Sequence, residues 1–345
     1  MAYTTIDDGS AHFHTQLYTG DGSTQSITND ANAGDFKPDW LWIKNRDRTD
    51  NHVFYDTTRG VQKRLNSNTT DAEATKTNGV TAFNTDGFTV GSASENNHSA
   101  TNLVAWQWKA NGGTTTTNTE GDTNVTLQAN ATAGFSIATW DAGGSNAGAV
   151  GHGLGAAPEW IILKRRDGTS NWHVWHQGLG DGNNYILLNT TGAKANDSYA
   201  YVSSIGSSTV SLAGGPGSYD DVAYFFRGIK GYSKFGSYTG NSNADGTFVY
   251  TGFKPAFVLI KRTSNSQNWF LQDNKRNSNY NPNKKTLFPN SSSVEDGAIP
   301  VDHLSNGFKT RSTDTVTNNS GDTYIYMAFA EHPFVSSKGV PVTAR

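Results

Sequence analysis

Side chains able to do chemistry are present in number but not in the groupings that chemistry needs. The chain has nine histidines, thirty carboxylates and no cysteine. His12-Phe13-His14 sets two imidazoles on one face of an extended segment, because side chains alternate along a strand. His173 and His176 form a second close pair. Either pair could belong to a zinc site, but zinc asks for a third or fourth ligand at a defined spacing, and none follows. Surface or core positions are the expected reading for all four. Asp21-Gly22, Asp181-Gly182 and Asp245-Gly246 suggest calcium, yet none runs on into alternating oxygen ligands closed by a glutamate. Type I′ hairpin turns are expected there instead. The sequence contains no Gly-x-Ser-x-Gly elbow and no phosphate-cradling Gly-x-x-x-x-Gly-Lys-Ser. A carboxylate pair for glycoside hydrolysis depends on distance in space and stays open, but no acidic residue stands in a distinctive setting. The expectation is a protein that is not an enzyme, with no catalytic, metal or cofactor-binding residue to assign and no cofactor.

The most orderly polar residues recur with the chain's internal period. A nineteen-residue block is written three times without a gap: Pro38 to Asp56, Pro158 to His176 and Pro255 to Asp273. Proline, lysine (Lys44, Lys164, Lys261) and asparagine (Asn51, Asn171, Asn268) keep their offsets. One reading makes Lys and Asn a ligand pocket present three times. The preferred reading has the lysine ending a strand at the surface and the asparagine capping a turn through its side chain.

Each block needs an element to hold it. An apolar run such as Trp160-Ile161-Ile162-Leu163 fits a strand covered on both faces, and the leading proline sits where a strand can begin. The second half of the block is rich in strand formers, so the whole reads as a β-hairpin. Constant loop length fixes its register, since a one-residue slip would turn every side chain to the wrong face. Each copy passes downstream through a Leu/Asn/Ser/Thr segment at 64–70, 187–193 and 287–293, and closes on an apolar strand at 103–108, 222–227 and 324–329. A unit is then about a hundred residues long, enough for a core of its own, and leaves both beads and a compact three-lobed body open.

Composition agrees. Only 34% of residues are hydrophobic but 12% are aromatic, so Trp, Tyr and Phe must supply the core, and disorder is not expected. Thirty-seven glycines with dense Asn, Ser, Thr and Asp mark many turns between short strands, while helical periodicity is nearly absent. The expected fold is all-β with very little helix: three related β-sandwich domains, jelly-roll or lectin-like, in tandem. The boundaries are an N-terminal arm at 1–9, units at 10–113, 134–232 and 233–335, a Thr/Asn/Gly linker at 114–133 with one edge strand at Asn124-Val125-Thr126-Leu127, and a C-terminal tail at 336–345. A net charge of −3 leaves no basic stripe for nucleic acid. Neither a signal peptide nor an apolar stretch of membrane-spanning length is read, so a soluble protein made in a cytoplasm is expected.

Tryptophan with abundant Asn and Asp also suits carbohydrate, aromatic faces stacking on sugar rings and polar groups bonding hydroxyls. Trp40, Trp160 and Phe257 share an offset among apolar neighbours, however, and read as core, as do Trp106 and Trp108. The run NSNYNPN at 277–283 is a better exposed loop. The ligand-binding residues are left unknown.

The runs GYSKFGSYTGN at 231–241, YTGFKPAFVLIKRT at 250–263, NWFLQDNKR at 268–276 and TYIYMAFAEHPF at 323–334, with PDWLWIKNRD at 38–47 and the opening MAYTTIDD, closely resemble a repeated domain of unassigned function. That domain is common in tailed bacteriophages, marine ones especially, in tail-fibre and other virion structural proteins. The resemblance covers nearly the whole chain and implies a virion structural protein on the particle exterior, made in the bacterial host cytoplasm. Its expected role is a tail fibre or tail-associated host-attachment protein. Expected partners are other virion proteins, further copies of itself, plausibly as a trimer, and a host surface glycan or receptor, with no nucleic acid and no membrane insertion. Phage fibres often carry an N-terminal adaptor and a long trimeric stalk; neither is read here, which adds a capsid decoration or head-fibre protein with a cementing role as the alternative. A polysaccharide depolymerase ranks last.

Overall fold

The computed structural model describes residues 4–6, 8–30, 36–141, 148–196, 202–212, 219–277 and 281–330. The C-terminal tail at 336–345 lies outside them. Apart from short turns at Gly9–Ala11, Ser94–Asn97 and Gln177–Leu179, the elements are strands. Unit 1 contains β1 (Phe13–Thr19), β2 (Gln25–Ile27), β3 (Trp40–Asn45), β4 (Val53–Asp56), β5 (Lys63–Asn66), β6 (Ala74–Thr75), β7 (Val80–Phe83), β8 (Phe88–Val90) and β9 (Asn102–Trp108). Two strands, β10 (Thr116–Asn118) and β11 (Val125–Asn130), then precede unit 2. That unit has β12 (Phe135–Trp140), β13 (Gly148–Gly151), β14 (Trp160–Arg165), β15 (His173–His176), β16 (Asn184–Leu187), β17 (Ala195–Asn196), β18 (Ser204–Ile205), β19 (Thr209–Leu212) and β20 (Asp221–Phe226). Unit 3 contains β21 (Ser233–Thr239), β22 (Phe248–Tyr250), β23 (Phe257–Arg262), β24 (Phe270–Asp273), β25 (Val301–Leu304), β26 (Gly307–Thr310) and β27 (Thr323–Phe329).

The strands form six separate antiparallel sheets, a large and a three-stranded one in each unit. The large sheets run β1-β9-β3-β4-β5-β6, β10-β11-β12-β20-β14-β15-β16-β17 and β21-β27-β23-β24; the small ones run β2-β8-β7, β13-β19-β18 and β22-β26-β25. Every block is a hairpin in one register: Trp40 opposite Asp56, Trp160 opposite His176 and Phe257 opposite Asp273. The linker differs from expectation. It holds two strands, and β11 lies inside the sheet between β10 and β12.

Alternation of side chains explains why the block strands are apolar on both faces. Leu41 and Ile43 join a core with β2, β7 and β8; Ile161 and Leu163 join one with β13 and β19; Val258 and Ile260 join one with β22, β25 and β26. Their neighbours Trp40, Trp42, Trp160, Ile162, Phe257 and Leu259 point the other way, into a single cluster common to all three units. Trp40 stacks on Tyr224 of unit 2 with ring centroids 4.6 Å apart, Trp108 meets Phe257 of unit 3 at 5.5 Å, and Phe226 of unit 2 meets Phe235 of unit 3 at 5.9 Å. The described residues are thus all-β with very little helix, in separate sheets with no barrel. Each unit keeps an outer core, and the three large sheets bury their inner faces against one another, forming a three-lobed body with a shared aromatic centre.

Candidate functional site

The recurrent lysine and asparagine mark the joints between units, which corrects the reading of a surface lysine. Lys44, Lys164 and Lys261 are fully buried and lie on the same strand face as the central aromatics, two residues beyond Trp42, Ile162 and Leu259. Lys164 Nζ donates to Ser170 O at 2.8 Å in its own unit and to Thr70 O of unit 1 at 3.1 Å. Lys261 Nζ donates to Gln267 O of its own unit and at 2.9 Å to Thr191 O of unit 2. Lys44 Nζ donates to Asn45 O and Arg48 O and, at 3.1 Å, to Ser292 O of unit 3. The Leu/Asn/Ser/Thr segment of each unit thus lends a carbonyl to the next, 1 to 2, 2 to 3 and 3 back to 1. Burial pulls the amines down to about 8 for Lys44 and Lys164 and about 7 for Lys261, since desolvation disfavours the charged form.

The asparagines clasp these segments rather than capping their own turns. Asn51 Oδ1 accepts from Asn68 Nδ2, Asn171 from Asn189 and Asn268 from Asn290, at 2.7, 2.9 and 2.8 Å. The paired Oδ1 takes the backbone N–H of His52, Trp172 or Trp269. Trp172 then donates its indole N–H to Asn66 O of unit 1, and Trp269 to Leu187 O of unit 2. The backbone amides of Glu73, Lys194 and Glu295 complete each joint, donating to Arg166, Thr263 and Arg46 carbonyls.

The other expected residues are dispersed. His12 precedes β1, its ring against Tyr232, whereas His14 is buried near Asp30. His173 and His176 lie on opposite faces of β15; His176 packs edge-on to Trp160 at 5.0 Å, and burial lowers its pKa to about 3. Among the described residues no group of three or more His, Cys, Asp or Glu is placed to hold a metal ion. The Asp-Gly pairs are not I′ hairpins. Asp21-Gly22 and Asp245-Gly246 arch from a large sheet to a small one, and Asp181-Gly182 leads from Gln177–Leu179 into β16. Asp21 Oδ1 accepts from Ser23 N and Asn97 Nδ2, which stitches its arch. Trp40, Trp106, Trp108, Trp160 and Phe257 all belong to the central core.

Among the described residues, two of the concavities offer polar groups to a ligand. In unit 3 a cavity of about 160 Å³ is lined by Lys254, Asn274, Asn277, Asn281, Asn283 and His303, at the base of the loop singled out in the sequence. Asn281 holds His303 through both backbone groups, at 2.8 and 2.9 Å. Because His303 Nδ1 lies 3.0 Å from Pro255 O, that nitrogen carries the proton. Burial lowers the ring's pKa, so a neutral imidazole is left with a lone pair on Nε2. Amides, an ammonium and an imidazole lone pair suit hydroxyls and water; the lining includes no carboxylate. The second concavity, wide and about 520 Å³, runs along Glu159, Trp175, Gln177 and Arg227 in unit 2. Glu159 accepts from Gln177 Nε2 at 3.1 Å, and burial raises its pKa, but its lining holds no second carboxylate to act with it. Sequence reasoning missed Glu159, the second residue of the second block, and His303, in an unremarkable strand.

No curated protein matches this chain. The family described as a domain of unknown function, DUF7483, matches residues 8–333, and the chain belongs to it.

Proposed function

We propose that this chain is a structural protein on the exterior of a tailed-bacteriophage particle, a tail fibre or tail-associated host-attachment protein without catalytic activity. The observation that carries the reading is the cyclic closure of the three units through Lys44, Lys164 and Lys261. It devotes the most regular polar residues of the chain to rigidity, and leaves loops and outer sheets as the parts available to partners. The resemblance of its runs to phage virion proteins supplies the setting. Many copies on a symmetric particle would raise the effective strength of weak individual contacts. Other virion proteins, further copies of the chain and a host surface glycan are its proposed partners. Labelled antibody on intact particles tests this: label on the tail is expected, label on the head would favour capsid decoration with a cementing role, and absence from particles would contradict both. Incubation with host polysaccharide should leave chain lengths unchanged.

A further inference from the structure

The three small sheets are alike in pairing but not in what they show to solvent. In unit 1 Ile27 pairs with Phe88, in unit 2 Val150 with Val210, and in unit 3 Val249 with Phe308. The residues flanking these inward ones are Ser26 and Thr28, both exposed, Ala149 and Gly151, half-buried and buried, and Phe248 and Tyr250, both exposed. In unit 1 these positions carry small, exposed polar side chains, whereas in unit 2 Gly151 is buried against Asn118. Unit 3 alone places two aromatics there, 43% and 55% exposed. A lone exposed aromatic needs no explanation, and Tyr219, the other large exposed aromatic among the described residues, is covered by the Arg165 guanidinium at 3.6 Å. Phe248 and Tyr250 are different: they stand side by side on one face of an edge strand, about 7 Å apart by strand geometry.

We infer that Phe248 and Tyr250 form a stacking platform for a neutral, hydroxyl-rich sugar ring. Lys234 Nζ donates to Tyr250 O at 2.7 Å and lies 5.2 Å from the centre of its ring, which fixes the phenol from one side. Phe248 lies opposite Lys309. Lys309 bonds Asp245 at 2.7 Å, and Arg311 joins Asp245 and Asp302 at 2.6 and 2.8 Å. The rim beside Phe248 is therefore rich in donors and acceptors whose charges balance, Lys309 and Arg311 against Asp245 and Asp302, while Lys234 beside Tyr250 is engaged by a backbone carbonyl and the ring. Such a rim offers hydrogen bonds to hydroxyls rather than attraction to a charged partner. Two rings also present far less than the roughly 800 Å² per partner of a stable protein interface. The inference deepens the host-attachment reading and rests on it, yet particle location and sugar binding are measured separately, so one can fail without the other.

Its test is titration of the full chain with neutral glucan, mannan and galactan oligosaccharides, followed by tryptophan-independent saturation-transfer NMR. The double variant F248S/Y250T carries the residues unit 1 already uses, so its melting temperature should match the parent. At least one oligosaccharide should bind the parent, with saturation reaching ring C–H protons, and should bind the variant at least tenfold more weakly. Absence of binding across the three series, or equal binding by parent and variant, would overturn the inference. So would concentration-dependent self-association abolished by F248S/Y250T, which would assign the edge strand to a second copy of the chain.

Discussion

The joints of units 1 with 2 and 3 with 1 are built on buried ion pairs, whereas that of units 2 with 3 has none among the described residues. At the first, Arg59 bonds Asp56 and Glu73, Arg166 of unit 2 reaches Glu73, and Tyr224 donates to Asp56 at 2.8 Å. At the second, Arg276 bonds Asp273 and Glu295, Arg46 grips Glu295 bidentately at 2.9 Å, and Trp106 donates to Asp273 at 3.0 Å. At the third, the same offsets hold His176, Leu179, Lys194, Thr263 and Met327. Every member of the network has been replaced together. The lysine, the asparagine clasp and the indole or imidazole beside it persist at all three. Closure is thus carried by backbone carbonyls, and the ion network is a removable addition. This fits the general finding that buried ion pairs add little net stability, although breaking one is costly.

The largest expected effect comes from breaking a charged joint singly. Arg59→Leu or Arg276→Leu leaves the fully buried carboxylate of Asp56 or Asp273 without its cation and should cost about 3–5 kcal/mol, read as a shift of the urea unfolding midpoint. Next come the lysines: Lys44→Met leaves three carbonyls unserved and should cost about 3 kcal/mol, with about 2 kcal/mol for Lys164→Met or Lys261→Met. A smaller effect follows from pH. Folded Lys261 titrates near 7 and the unfolded lysine near its ordinary 10.4, so between those values the unfolded state holds the extra proton. Stability from this site then rises with pH, and from pH 7 to 9 the parent should gain about 1–2 kcal/mol over Lys261→Met. The smallest effect is expected from the largest change. Installing the residues of the joint between units 2 and 3 at units 1 and 2, as D56H/R59L/E73K/R166T/Y224M, should cost less than Arg59→Leu alone. A loss equal to the sum of the single changes would show that the network, and not the backbone clamp, holds the joint.

Much of the local structure was legible in the sequence. The gap-free block gave hairpins of one register, and runs apolar on both faces gave strands covered on both sides. What escaped was the partner of each polar residue. Lys44 looks like the charged end of a strand because the carbonyl it serves, Ser292 O, lies 248 residues away. A usable signal existed: Thr70, Thr191 and Ser292 each follow the clasping Asn68, Asn189 and Asn290 by two residues. The Asp-Gly turns misled because a local turn motif cannot say whether the strands it joins lie in one sheet or two. Strand β10, made of Thr and Asn, carries no apolar alternation to announce it. The cavity beside His303 was foreshadowed by its loop, but the imidazole itself comes from a strand that passes behind it.

Closure of the ring is tested most directly by hydrogen exchange at three amides of the intact chain, those of Glu73, Lys194 and Glu295. Each donates to the strand end of the next unit, so all three should be protected to the same degree as amides within β3. Glu295 exchanging like an exposed amide while Glu73 and Lys194 stay protected would contradict the account, for it would leave a row of three units with open ends.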